Sequence, residues 1–169
     1  MRMDPLLRFP ERLRETLSLF SNDEIRRRSA EGLFAPVEQA WHIADLEVEG
    51  YGARIGELLR ADRPHFQDFK GEEIAAPRRS IELDLEPALA RFASARAANV
   101  ARLQLTTPHT ATQEGVVGPV TLARIARMMS QHDASHASEI VLLLREFGLQ
   151  PSRELLEISG HEDPLQRTA

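Results

Sequence analysis

A chain of 169 residues, 42% hydrophobic and 28% charged, is long and apolar enough to bury one core, which excludes a disordered polymer. It has no cysteine, which excludes a disulfide framework, an iron–sulfur cluster and a Cys-ligated zinc; any thiol chemistry would need a thiol from outside the chain. A net charge of −5 lacks the basic signature of a nucleic-acid binder, and the longest aliphatic run, residues 140–144, falls far short of the roughly 20 residues of a membrane span, so the expected location is cytoplasmic.

Apolar periodicity is helical nearly throughout, and alternating strand patterns are scarce. A first helix is expected over residues 10–20, with Leu13, Leu17 and Phe20 on one stripe; Asp4-Pro5 could start it earlier, and Pro10 would then kink it. Residues 21–35 read as a polar connection with one short turn of helix. Arg26, Arg27 and Arg28 lie within it, flanked by acids, as a solvated face. A second helix is expected over 36–61, with Val37, Trp41, Ala44, Val48, Tyr51, Ile55 and Leu58 as its inward seam. Residues 63–80, rich in Pro, Gly and charge, form a long crossover.

Asp84 is a suitable N-cap for a third helix reaching residue 105, whose seam reads Leu85, Leu89, Phe92, Arg96, Asn99, Leu103. Residues 106–119, with Pro108, Gly115, Gly118 and Pro119, are expected to be a loop. A fourth helix follows from 120 or 121 to 147 and stops at Gly148. Ser152 caps a short final helix ending at Gly160. The expected fold is all-α: a four-helix bundle domain over 1–150, then a short helix and tail over 151–169.

Two seam positions of the fourth helix carry chemistry. Its stripe runs Leu122, Ile125, Met129, His132, His136, Ile140, Leu143, Phe147, so two imidazoles share one face, one turn apart. That spacing lets both grip one metal ion, and a buried imidazole pair without one needs other partners. A zinc-like ion needs a third protein ligand. His65, His109 and His161 fall in loops or the tail. His42 lies on the second helix, in a stripe with Glu38, Asp45, Glu49, Gly52, Ala53 and Gly56. Two interior glycines, each about 1 kcal/mol worse than Ala, point to a covered stripe; a plain polar surface with a stray histidine is the other reading. Asp45, almost one turn after His42, could orient an imidazole, hold water or act as a base, or be an exposed carboxylate. Asp133 points about 100° from His132 and reads as a surface group or a support behind the ligands. Arg96 and Asn99 interrupt an apolar seam. Arg96 suits a carboxylate-bearing substrate, or else a buried ion pair with Glu38, Asp45 or Glu49. A ferritin-like di-iron site is a poor fit, because no Glu-x-x-His occurs.

The stretch Trp41-His42-Ile43-Ala44-Asp45-Leu46-Glu47, then Leu89, Phe92 and Arg96, then Gly118 leading into His132-Asp133-Ala134-Ser135-His136, resembles the DinB-like (YfiT-type) family in that order. The resemblance spans residues 6–147. It implies a four-helix bundle, in many members a homodimer, with His42, His132 and His136 on one divalent ion, zinc or nickel. It also implies a small-molecule substrate; charge and hydropathy give no support to a nucleic-acid or membrane partner. Some members transfer a low-molecular-weight thiol, such as bacillithiol or mycothiol, to an electrophile; many have no known activity. Three readings therefore stand: a metal-dependent thiol transferase or hydrolase, with Asp45 catalytic and Arg96 and Asn99 on the substrate; a non-catalytic metal-binding bundle in stress response or assembly; and a metal-free interaction protein whose histidines are packing.

Overall fold

The computed structural model describes residues 3–67 and 80–161. Helix α1 spans Asp4–Leu17, starting at the earlier of the two expected places, with Pro5 in its first turn and Pro10 inside it. It buries Leu6, Phe9, Leu13 and Leu17; Phe20 lies beyond its end but stays buried, edge-on to Phe147 at 5.8 Å. Proline has no N–H, so Pro10 leaves the carbonyl of Leu6 without its usual helical donor. Arg96 Nη1, from a neighbouring helix, donates to that carbonyl at 3.1 Å. The connection that follows holds a single 3₁₀ turn, Glu24–Arg26, as expected.

The second long helix has an internal change of pitch. It runs as α2, Pro36–Asp45, then a π-helical stretch, Leu46–Gly52, then α3, Ala53–Arg60. Asn99 Nδ2 donates to the backbone carbonyl of Glu47 at 2.8 Å. A side chain inserted into the carbonyl ladder is a recognised cause of such a departure from α geometry. The buried seam keeps Val37, Ala44, Tyr51, Ile55 and Leu58 of the expected one and departs from it at two places. Trp41 and Val48 are only half-buried, while Gln39, Ile43, Glu47 and Tyr51, at steps of four, are 0%, 1%, 1% and 5% exposed.

Helix α4 spans Leu85–Leu103, two residues short of the expected end. Asp84 stands at its N-cap position but makes no side-chain cap; its carboxylate pairs with Arg26 at 3.3 Å. Helix α5 spans Leu122–Glu146, capped by Thr121 Oγ1 accepting from the Arg124 N–H. Gly148 follows with φ 73°, the left-handed stop the sequence called for. Helix α6, Arg153–Ser159, is capped by Ser152 and ends at Gly160. Its Leu155 and Leu156 enter the same core cluster as α1, α2 and α5.

Residues 106–119 are not a plain loop. Strands β2, Ala111–Gln113, and β3, Val116–Val120, form an antiparallel hairpin, and β1, His65–Phe66, pairs parallel to β2. Gln113 faces Val116 across a two-residue turn of Glu114 and Gly115, whose φ of +70° suits glycine. Val120, an expected helix start, closes β3. Of the long crossover, residues 68–79 lie outside the described residues.

The described helices make a four-helix bundle whose core is divided. One cluster gathers Phe9, Leu13, Val37, Ile43, Phe92 and Ile140; another gathers Tyr51, Ile55, Leu58, Val100, Ile125 and Met129. On the helices that face each other, the residues between the two clusters are polar: Glu47, Arg96, Asn99 and Asp133 are all buried. His132 and His136 flank Asp133 on α5. No helix among the described residues is long and apolar enough to cross a membrane.

Candidate metal centre

Helix α2 presents His42 and helix α5 presents His132 and His136. One ring nitrogen from each lies within 4.8 Å of the others, the one such cluster of potential metal ligands among the described residues. Nε2 of His132 and Nε2 of His136 are 2.9 Å apart. Ring centroids are separated by 5.6 Å for His42–His132, 5.0 Å for His42–His136 and 4.3 Å for His132–His136. Aromatic rings close two sides: Phe34 sits 5.9 Å from His42, and Tyr51 stands edge-on to His132 at 6.1 Å.

Burial disfavours a charged imidazole. It pushes His132 down to about 3, with His42 and Arg96 adding to the shift. It holds His136 well below its ordinary value, with His132 and His42 contributing. His42 is lowered less, because the carboxylates of Glu139 and Asp45 oppose its burial. Three neutral imidazoles with one nitrogen each within 4.8 Å of the others are the donor set that a borderline divalent cation such as zinc prefers. The residues present therefore fit such an ion.

Support behind the histidines comes from residues to which sequence reasoning assigned no role. Gln39, fully buried on α2, joins His136 Nδ1 through its Oε1 and Glu139 through its Nε2. Both could have been noticed, Gln39 three residues before His42 and Glu139 three after His136. Glu47 and Gln39 break an apolar seam just as Arg96 and Asn99 do, once that seam is drawn through Ile43 and Tyr51.

Arg96 and Asn99, expected to face a substrate, are buried and bonded within the bundle. Arg96 is 1% exposed and forks onto Asp133 at 2.7 and 2.8 Å, while its Nη2 also meets Glu47 at 3.0 Å. The buried ion pair is real, but with partners other than Glu38, Asp45 or Glu49. Asn99 gives its amide to the carbonyl and the carboxylate of Glu47. Asp133 is buried against Arg96: burial pushes its carboxyl up and the Arg96 fork only partly offsets that. Asp45 is 2% exposed and faces Arg91 at 3.6 Å, so it is no surface carboxylate. Glu38 instead takes a two-pronged contact from Arg28. His65, His109 and His161 stand apart, bonded to Thr112, to the Leu58 carbonyl and to Ser159.

The sequence model of the DinB superfamily matches residues 6–140, and the chain belongs to that superfamily. Among solved structures it is similar to YfiT from Bacillus subtilis, described as a probable metal-dependent hydrolase with an unusual four-helix bundle topology. The two share 17% sequence identity with a TM-score of 0.77, over 88% of this chain and 86% of that one. None of the curated proteins matches the chain.

Proposed function

We propose that this chain is a metal-dependent enzyme that holds one divalent ion, zinc or nickel, on His42, His132 and His136 and directs a nucleophile at a small electrophilic substrate. The observation that carries the reading is the convergence of three neutral imidazoles from two helices at the buried polar level of the bundle. Three protein ligands leave a coordination position open, as in catalytic rather than structural sites. The ion, when bound, would lower the pKa of a water or thiol and polarise the electrophile.

The chain's own residues do the rest. Phe34 and Tyr51 stand against the imidazoles of His42 and His132. Asp45 acts through His42, its buried negative charge offsetting part of the burial that weakens that imidazole's basicity. With water as nucleophile the reaction is hydrolysis, the activity ascribed to the Bacillus subtilis protein. With a low-molecular-weight thiol it is thiol transfer, and the thiol must be a co-substrate because the chain has no cysteine.

The test is metal content per chain by mass spectrometry, wild type beside His132→Ala. We expect close to one equivalent in wild type and a large loss in the variant. Loaded protein is then assayed on activated esters and alkyl halides, with and without added thiol, against protein treated with chelator. Failure of wild type to take up zinc or nickel would overturn the reading.

A further inference from the structure

We infer that Gln39 is the residue that positions His136 in the metal centre, and that Glu139 sets which way Gln39 faces and thereby which nitrogen of His136 is offered to the ion. The inference rests on the metal-site reading above, and it concerns residues on two different helices.

A carboxylate has only acceptor oxygens. Glu139 lies against one end of the Gln39 amide, so that end must be the NH2 group, and Nε2 is the atom bonded to Glu139 Oε2. An amide cannot present its NH2 in both directions, so the Gln39 oxygen must face His136. An oxygen there accepts, so His136 Nδ1 must carry the proton and donate it. In a neutral imidazole the other nitrogen then holds the free lone pair. That nitrogen, Nε2, is the one that faces His132 Nε2 at 2.9 Å.

One carboxylate at the rim therefore fixes the tautomer of a ligand that is itself 6% exposed. Glu139 suits this place. Its side chain is 36% exposed and its Oε2 is 3.8 Å from His136 Nδ1, so water solvates it while it remains in contact with the relay. Gln39, at 0% exposed, has no room to turn away and no water to substitute for its partners. Of the three histidines, His136 is the deepest, and it is the one given this support.

The test uses the full chain and zinc, with affinity read by competition against a chromophoric chelator. Gln39→Met keeps the length of the side chain and removes both polar atoms. It should weaken zinc binding by about 10–100-fold, the usual cost of losing a partner behind a histidine ligand. The exchanged pair Gln39→Glu with Glu139→Gln rebuilds both hydrogen bonds with donor and acceptor reversed between the two side chains. It should restore affinity to within a few-fold of wild type, which a merely structural role for Gln39 would not require. Long-range 15N–1H correlation spectra of the protein should show His136 protonated on Nδ1 before zinc is added and still so afterwards. Unchanged affinity in Gln39→Met, an exchanged pair no better than the single variant, or a proton on Nε2 of His136 would each overturn the inference. If wild type takes up no zinc, the metal reading falls, yet the spectrum of the protein as purified still decides which nitrogen carries the proton.

Discussion

At the scale of single residues, the imidazoles are held neutral by their surroundings, and this has a consequence for acid. An unfolded chain binds protons on these histidines near the ordinary value of 6.5, whereas folded His132 resists protonation down to about 3. Between those values the unfolded state holds more protons, so stability rises with pH across the window and falls as the solution is acidified. Above pH 6.5 the group contributes no slope. For protein treated with chelator, the melting temperature should therefore be flat above about pH 6.5 and decline progressively below it. His132→Asn should flatten the decline. A melting temperature independent of pH between 4 and 7 would show that these rings are not buried neutral.

At the scale of elements, the π-helical stretch is held from outside the helix. Asn99 bonds the Glu47 carbonyl, and Arg102 bonds both Asn99 Oδ1 at 3.3 Å and the Gly52 carbonyl at 3.0 Å. A Cβ at Gly52 would stand 3.0 Å from the Glu47 oxygen and 3.3 Å from Asn99 Oδ1, and neither is free to give. By helix propensity alone Gly52→Ala should stabilise by about 1 kcal/mol. The contacts reverse the sign, and we expect a net loss of about 1–2 kcal/mol in urea denaturation, as for an overpacked core. A gain in stability would mean that the stretch relaxes readily to α geometry. The sequence signal here was partial: two glycines in one helix showed a close approach, but not which residue approached.

At the scale of the whole molecule, the bundle is two apolar clusters joined through a buried polar layer. Arg96 is the hub of that layer, bonded to α1 through Leu6, to α5 through Asp133 and to the π-helical stretch through Glu47. Removing it leaves two buried carboxylates without their counter-charge. Arg96→Met should cost about 3–5 kcal/mol, the range for breaking a buried pair by deleting one partner. A cost below about 1 kcal/mol would mean that water enters and solvates the layer.

Much of this was legible in the sequence. The helical periods, the Gly148 and Gly160 stops and the pairing of His132 with His136 follow from local spacing, and the proposed third ligand, His42, from the resemblance of an ordered set of motifs along the chain. Spacing within one helix is fixed by backbone geometry and needs no knowledge of neighbours. What the fold alone decided are the relations between elements distant in sequence. Gln39 meets Glu139, Arg96 chooses Asp133 and Glu47, and β1 pairs with β2, each across tens of residues. A buried charge takes whichever opposite charge the packing brings within reach, and a two-residue strand exists only once its partner is beside it. The sequence thus determined which histidines could serve the centre, and the tertiary structure decided which residues stand behind them and where Arg96 and Asn99 are employed.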